Sequence, residues 1–249
     1  MSVPPKIASG GAHTSRTMML SELRELLAAT LPTASRDDLR AAVLGDNVLG
    51  KRSEAGRARS FRYLRELYTL DIAVPSFRAL RRLWPHGAEA QPLIALSSAL
   101  THDAALRGTA GTVLRATQGS TVAADQLARA VQETYPGSYS DSVAHKIGRN
   151  AASTWTQAGL LEGRTPKTRC PANAHPASVA YALYLASLEG RAGELLFEAL
   201  PVQAQDAPAH ILKSLAREAS RRGWLDFRSI GTVTEVGFGF LEASEAIHA

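Results

Sequence analysis

The sequence predicts a mainly α protein: a helical N-terminal domain followed by two winged-helix-like modules with short β-hairpins. Apolar residues recur at three- and four-residue steps through much of the 249-residue chain, which indicates amphipathic helices. Many of these segments end at Pro or Gly. Near residues 160–169 and 224–236, short runs flank a turn, a pattern typical of β-hairpins.

The composition is that of a folded protein with a basic bias. Hydrophobic residues make up 45% of the chain and charged residues 20%, which excludes an intrinsically disordered protein. The net charge of +5 favours polyanionic partners, but its distribution is more informative than its sum. Between Lys51 and Arg82, nine Lys or Arg residues stand against three acidic ones, so this segment holds the positive excess.

Cysteine content and hydropathy predict a cytoplasmic protein that does not cross a membrane. Cys170 is the only cysteine, so no internal disulfide can form, which fits a reducing compartment. The first 16 residues lack an apolar signal-peptide core, and no run of about 18 apolar residues occurs.

Composition shifts and breakers divide the chain into four predicted segments. Residues 1–17, rich in Pro, Gly, Ser and Thr, are expected to be a flexible or loosely docked N-terminus. Residues 18–117 form a helical domain of helix-turn-helix type, 118–172 a winged-helix domain, and 173–249 a second winged-helix-like module.

Three helices are predicted to open the N-terminal domain, at about residues 18–30, 35–45 and 53–69. Ser35 and Ser53 are suitable N-caps for the second and third. The third turns Phe61 and Leu64 inward, so Arg59 and Arg62 face outward. These arginines are suited to phosphate contact, but an ordinary bundle with arginines in solvent or paired to Glu54 and Glu66 fits equally well.

A long apolar helix is predicted over residues 92–106, with Asp103 at an exposed end. The order His86, His102-Asp103, Asp141 imitates that of metal phosphohydrolases. The flanking sequence does not support that chemistry, because His86 lies in a Pro-Gly turn and Asp141 opens a helix of another segment.

The stretch from Ser140 to Arg169 contains the most informative helix of the chain. Val143, Ile147 and Ala151 share its inner side. Its outer side offers hydroxyls and positive charge and no carboxylate, and carries Ser142, His145, Lys146, Arg149, Ser153 and Thr156. A preceding helix over residues 122–134, a Tyr-Pro-Gly turn and a following basic loop complete the order of a winged helix-turn-helix. A solvated amphipathic helix remains the alternative.

The C-terminal segment repeats this order with a weaker charge bias. Helices are predicted over residues 177–188, 194–200 and 206–222, followed by two strands over 224–228 and 232–236. Basic and acidic residues are mixed on its surface, so scaffolding or protein contact is preferred to DNA contact.

Three groups of residues resemble BrxA-type proteins, accessory proteins of the BREX bacteriophage-defence systems. They are Gly10-Gly11; Asn47, Leu49 and Lys51-Arg52-Ser53 followed by Arg57, Arg59 and Arg62; and Ser140, Ile147-Gly148-Arg149-Asn150, Trp155 and Gly159-Leu160-Leu161. The resemblance implies a non-enzymatic protein that binds double-stranded DNA in support of host methylation or phage exclusion. It places DNA contact on the basic residues from Lys51 to Arg62 and on the helix around Lys146 and Arg149.

We therefore expect a DNA-binding protein with no enzymatic activity, no cofactor and no metal. Its partners would be double-stranded DNA and other proteins of a defence system, and an adaptor that docks subunits of a complex is the alternative. The expected DNA contacts are Lys51, Arg52, Arg57, Arg59, Arg62, Ser142, His145, Lys146, Arg149, Ser153, Arg164, Lys167 and Arg169.

Overall fold

A computed structural model of the protein describes residues 10–230 and 233–243, and it is mainly helical with two small antiparallel sheets. The α-helices are α1 (Leu20–Ala28), α2 (Arg36–Leu44), α3 (Glu54–Tyr68), α4 (Pro75–Leu83), α5 (Gln91–His102), α6 (Ala104–Leu114), α7 (Ala124–Thr134), α8 (Asp141–Gln157), α9 (Pro176–Leu188), α10 (Leu200–Gln203), α11 (Ala209–Arg221) and α12 (Gly239–Glu242). The strands are β1 (Thr121–Val122), β2 (Leu161–Glu162), β3 (Lys167–Arg169), β4 (Asp226–Ile230) and β5 (Val233–Gly237). Short 3-10 helices span Ala12–Thr14, Trp84–His86 and Gly193–Glu198.

The predicted starts of α2 and α3 are confirmed. Ser35 Oγ accepts a hydrogen bond from the Asp38 N–H, and the Asp38 carboxylate accepts one from the Ser35 N–H, so α2 begins with a capping box. Ser53 Oγ accepts from the Gly56 N–H at the start of α3. Phe61 and Leu64 are buried and Arg59 and Arg62 are exposed, so α3 has the orientation that its periodicity predicts.

The single helix predicted over residues 92–106 is wrong. The chain leaves helical geometry at Asp103, whose φ is −110° and ψ 106°, and the break separates α5 from α6. The Asp103 carboxylate caps α6 by accepting from the Leu106 N–H. Asp103 is also buried rather than exposed, because the N-terminal segment covers it.

Helices α6, α7 and α8 and a three-stranded sheet make up the central segment. Along the chain the order is α6, β1, α7, α8, β2, β3. The strands lie in the order β1-β3-β2, with Thr121 opposite Thr168 and Leu161 opposite Arg169. The sequence predicted the hairpin but not β1, because two residues are too few to show alternation.

Helices α7 and α8 approach closely at Gly148. A Cβ atom placed on Gly148 would lie 2.2 Å from the carbonyl oxygen of Ala124 and 3.0 Å from the amide nitrogen of Ala128. Only glycine allows this contact, so Gly148 fixes how α8 sits on α7. Ile147 and Val131 meet nearby in a small apolar cluster.

The prediction of a flexible segment over residues 1–17 is wrong for residues 10–17, and residues 1–9 lie outside the described residues. Residues 10–17 pack against α6 and α8, and His13 is fully buried. The Asn150 side chain donates to the His13 carbonyl oxygen (2.9 Å), and the Met18 N–H donates to Thr154 Oγ1 (2.9 Å). Buried polar contacts rather than apolar side chains hold this segment, which is why composition gave no sign of it.

The C-terminal segment contains α9 to α12 and the second sheet. Strands β4 and β5 pair antiparallel, with Phe227 opposite Val236 and Ile230 opposite Val233, which confirms the predicted hairpin. Ser229 and Ile230, which were predicted in the turn, belong to β4, and residues 231 and 232 lie outside the described residues. Helix α9 is buried almost throughout and packs against α4, α5, α10 and α11.

One apolar cluster contains buried side chains from all four predicted segments, from Ala12 to Leu241. Trp155 is fully buried, and its indole N–H donates to Thr109 Oγ1 (2.9 Å). Among the described residues, no helix has the length and hydropathy that a membrane crossing requires.

Candidate nucleic-acid interface

A basic cleft of about 500 Å³ lies where α3, α8 and residues 14–16 meet. Among the described residues, its lining carries four cationic side chains, hydroxyl groups and an amide, and no carboxylate. The residues of this basic cleft are Thr14, Ser15, Arg16, Arg59, Tyr63, Lys146, Arg149 and Asn150. The two basic faces that the sequence predicted separately, on α3 and on α8, therefore adjoin.

His13 determines where the N-terminal side of the basic cleft lies. Its Nδ1 atom donates to Asp103 Oδ2 (2.9 Å), and its Nε2 atom is hydrogen-bonded to Thr154 Oγ1 (2.8 Å). The backbone N–H of His13 donates to the same Asp103 oxygen (2.9 Å). These bonds tie residues 12–14 to the start of α6 and to the middle of α8, and Arg16 follows three residues later.

The hydrogen-bond partners of Asp103 stabilise its charged form although the side chain is buried. Burial would raise the pKa of the Asp103 carboxyl, but the His13 ring, the His13 N–H and the Leu106 N–H together outweigh it and lower the pKa. The carboxylate thus provides a fixed negative charge beneath the N-terminal segment.

The hydrogen-bonded order Asp103, His13, Thr154 imitates an acid–histidine–hydroxyl triad. All three side chains are buried, with at most 2% of each residue exposed, and none of them lines the basic cleft. Thr154 Oγ1 also accepts the Met18 N–H. A nucleophile must reach its substrate, so this chain of hydrogen bonds is structural.

Tyr63 is the aromatic floor of the basic cleft. Its ring is contacted by two guanidinium groups, with the Arg62 Cζ atom 4.5 Å and the Arg16 Cζ atom 5.7 Å from the ring centroid. Cation–π contact orders such side chains without neutralising their charge. Arg62 also lies 3.7 Å from Glu66, an exposed i,i+4 pair of little energy.

A second concavity, the hairpin crevice, lies between α8 and the loop that joins β2 to β3. Its lining includes Arg149 and Ser153 of α8, Arg164 and Lys167 of the hairpin, and Asp125 of α7. Arg149 lines both the basic cleft and the hairpin crevice. The four expected contacts Arg149, Ser153, Arg164 and Lys167 are therefore neighbours, and the positive surface is continuous from the hairpin to α3.

Other expected contacts lie outside these two concavities. Lys51 Nζ is 3.0 Å from Glu22 Oε1, and the exposed His145 ring is 3.1 Å from Asp125 Oδ1. Arg57 is half-buried, and its Nε atom has no hydrogen-bond partner in the described structure. Arg52 and Ser142 are exposed, and Ser142 Oγ lies 3.3 Å from Ser140 Oγ.

The expectation that Arg169 contacts DNA is wrong. Arg169 is 3% exposed, and its guanidinium donates to the carbonyl oxygens of Val113 (3.0 Å), Leu160 (3.4 Å) and Cys170. It also forms an ion pair with Asp206. With its donors directed at buried acceptors, Arg169 joins β3 to α6 and to the C-terminal segment.

Much of the positive excess of residues 51–82 is likewise structural. The Arg81 guanidinium is buried against carbonyl oxygens of the last turn of α1 and of the loop that follows it, and burial lowers the pKa of this group. Arg78 donates to the carbonyl oxygens of Ile72 and Ala73, and Arg82 to those of Phe240 and Ala243. The count of charges therefore overstated the free positive surface.

Sequence reasoning missed five residues of the basic cleft, which are Thr14, Ser15, Arg16, Tyr63 and Asn150. Asn150 does donate to the His13 carbonyl oxygen, but it also lines the basic cleft. No periodicity marks residues 14–16, and Tyr63 is 7% exposed, so only three-dimensional proximity reveals them.

The residues of the metal-phosphohydrolase hypothesis do not form a common site. His102 Nδ1 is hydrogen-bonded to the Ser98 carbonyl oxygen, Asp141 Oδ1 accepts from Gln132, and the His86 ring lies 4.6 Å from that of Trp224. Within residues 10–230 and 233–243, no group of three or more His, Cys, Asp or Glu side chains is arranged to hold a metal ion.

No protein-family model matches the chain, and no curated protein matches it.

Proposed function

We propose that this protein binds double-stranded DNA through the basic cleft and the hairpin crevice. The observation that carries the proposal is the meeting of Arg16, Arg59, Lys146 and Arg149 in one cleft whose lining has no carboxylate. Four cations held side by side suit a chain of phosphates better than a single carboxylate or metal-bound ligand. The hydroxyls and the Asn150 amide add neutral donors for phosphate oxygens.

The element order supports a winged helix-turn-helix as the DNA-binding unit. Helix α6, β1, the pair α7 and α8, and the hairpin β2–β3 follow one another in the order of that fold, with α8 as recognition helix. Arg164 and Lys167 then belong to the wing. We also assign the α11, β4 and β5 segment to a second winged-helix-like module.

Sequence-independent contact dominates this proposal. Most polar groups of the two concavities are cations and hydroxyls, which contact phosphates, and Asn150 is partly engaged with His13. Base reading needs bidentate donors and acceptors at groove edges. We therefore expect strong salt dependence and weak sequence preference.

A titration of fluorescent duplex DNA at 50 and 200 mM salt tests the proposal. Six phosphate contacts would lower the affinity about 10³-fold over that range. Lys146→Gln with Arg149→Gln should reduce the slope of log affinity against log salt by about two. The matched control is Arg107→Gln with Arg115→Gln, which changes the net charge equally in a different concavity. No binding at 50 mM salt would refute the proposal.

A protein-docking role for the C-terminal module is the second candidate, and an exposed apolar hairpin favours it. Ile230 is 84% and Val233 62% exposed, and the two residues pair across β4 and β5. Two exposed apolar side chains next to each other suit a contact with another protein better than a contact with phosphate. If duplex binding is absent, this adaptor role becomes the preferred function.

The BrxA resemblance adds a biological setting to the proposal. We propose that the protein acts in the cytoplasm as an accessory factor of a BREX-type defence system, beside other proteins of that system. Phage plating on cells that carry the complete system tests this. Loss of protection on removing the gene, restored by the wild type but not by the Lys146→Gln, Arg149→Gln variant, is the expected result; unchanged protection would contradict it.

A further inference from the structure

The groove between α2 and α3 is a concavity of about 720 Å³ that none of the expected contacts except Arg62 touches. Its charged residues are Arg36 and Arg40 of α2, Arg62 and Arg65 of α3, and Asp37 and Asp71. We call this concavity the arginine groove. Four cations against two carboxylates give it a net positive lining.

Its arginines are available to a ligand. All four are exposed. In the described part of the chain, ion pairs within 4.0 Å include only Arg62 of these four, at 3.7 Å from Glu66. The neighbouring carboxylates are partly engaged elsewhere: Asp38 caps α2, and Asp71 Oδ1 accepts the Ala73 N–H (3.0 Å).

The arginine groove continues the basic cleft. Arg62 lines the groove, and its guanidinium lies 4.5 Å from the Tyr63 ring, which lines the basic cleft. Arg16 contacts the same ring from within the basic cleft. At the far end of the basic cleft, Arg149 is shared with the hairpin crevice. Three concavities are thus joined in series by Tyr63 and Arg149.

We propose that the arginine groove binds further phosphates of the same duplex, so that the DNA path extends from the hairpin across α8 and α3 to α2. This inference rests on the proposed function. Arg59, Arg62 and Arg65 lie three residues apart on α3, where each residue advances about 1.5 Å along the helix axis. The row of arginines therefore begins in the basic cleft and ends in the arginine groove. Arg36 and Arg40 complete it on α2.

Charge removal in the groove tests the extension. Arg36→Gln with Arg40→Gln removes two charges without adding an acid beside Asp37 and Asp38. We expect the salt slope of the variant to be smaller than that of the wild type by about 1.8. Relative to the wild type, and taking equal affinity of the two proteins at 1 M salt as the reference, the variant should then bind about 60-fold more weakly at 0.1 M salt. The matched control is again Arg107→Gln with Arg115→Gln, with the same change in net charge.

A photo-crosslinking residue provides a readout that does not depend on charge. Ala58 is exposed and lines the arginine groove, whereas Ala130 lines the concavity of the control variant. Crosslinking of labelled duplex at position 58 and not at position 130 is the expected result.

The two proposals fail separately. If the wild type binds duplex DNA and the Lys146→Gln, Arg149→Gln variant weakens it, but the groove variant matches its control and position 58 does not crosslink, the extension is wrong and DNA binding stands. If the wild type binds no duplex at 50 mM salt, both proposals are wrong.

Discussion

His13 Nδ1 lies 2.9 Å from Asp103 Oδ2, although 90 residues separate the two in the chain. This buried contact, together with the bond from His13 Nε2 to Thr154, holds residues 12–14 against α6 and α8. It therefore connects the stability of the fold to the position of Arg16 in the basic cleft.

Replacing His13 by Ala should both destabilise the protein and weaken DNA binding. The change leaves the Asp103 carboxylate buried without its ring partner, a loss of about 3 kcal/mol in the free energy of unfolding. Urea unfolding measures this loss. Duplex affinity at a temperature where the variant is folded should also fall, because Arg16 is no longer held in place.

Comparison of Asp103→Asn with Asp103→Ala separates the loss of the buried charge from the loss of the N-cap of α6. Asparagine keeps an N-cap acceptor for α6 but removes the charge, so its unfolding free energy should fall less than that of Asp103→Ala. A His13→Ala protein with unchanged stability and affinity would show that residues 12–16 play no part in either.

The sequence predicted those features that repeat locally. The inner and outer sides of α3 and α8 follow from the 3.6-residue period, and the β4–β5 hairpin from alternation around a turn. Ile147 and Leu64 are buried, and Lys146 and Arg62 are exposed, as their positions in the period require.

Features that depend on distant partners could not be predicted in this way. In the sequence, Arg169 resembles an ordinary surface cation of a basic loop. In the folded chain, Val113, Leu160 and Asp206 supply the acceptors that surround its guanidinium. His13 lies in a segment without periodicity, and its acceptors come from α6 and α8. The adjacency of Arg59 and Arg149 also depends on packing between helices, which no local pattern encodes.

Gly148 supports a prediction about the α7–α8 contact. Gly148→Ala places a methyl group 2.2 Å from the Ala124 carbonyl oxygen, so the helices must separate. We expect a loss of about 3 kcal/mol in the free energy of unfolding, which outweighs the gain of at most about 1 kcal/mol from the better helix propensity of alanine. Thermal or urea unfolding measures it.

Gly111→Ala on α6 is the matched control. The three atoms nearest to its new methyl group all belong to the end of the flexible Arg115 side chain, which can move away, so the substitution should be neutral or slightly stabilising. Equal effects of the two substitutions would contradict the close α7–α8 approach.

The contact of His86 and His175 with Trp224 predicts a pH dependence of stability. The ring centroids of His86 and Trp224 are 4.6 Å apart, those of His175 and Trp224 are 6.5 Å apart, and the Arg222 Cζ atom is 5.0 Å from the Trp224 ring. Burial and then Arg222 lower the pKa of His86; burial also lowers the pKa of His175, against the opposing charges of Glu89 and Glu218.

The sign follows from proton linkage. The unfolded chain binds these protons with a pKa of about 6.5, more tightly than the native state does. The contribution of the two neutral histidines to the free energy of unfolding is therefore fully present above about pH 6.5. It decreases as the pH falls through and below that value. Urea unfolding between pH 5 and 8 should show this decrease in the wild type.

His86→Phe keeps an aromatic ring beside Trp224 and removes the titration, so its stability should vary less with pH below 6.5. Adding His175→Asn, which retains an acceptor at the start of α9, should flatten the profile further. A profile as steep in the double variant as in the wild type would assign the effect to other groups.

Arg164 and Arg169, five residues apart on one hairpin, should behave in opposite ways. Arg164 is exposed in the hairpin crevice, so Arg164→Gln should reduce the salt slope of duplex binding by about one and change stability by less than about 0.5 kcal/mol. Arg169→Gln removes a buried guanidinium from three carbonyl oxygens and Asp206, so it should cost about 3 kcal/mol of stability.

Binding by Arg169→Gln, measured where that variant is still folded, completes the test. We expect its salt slope to equal that of the wild type, because the Arg169 side chain has no access to a phosphate. A reduced slope in a fully folded Arg169→Gln protein would restore Arg169 to the DNA interface and would mean that the hairpin opens on binding.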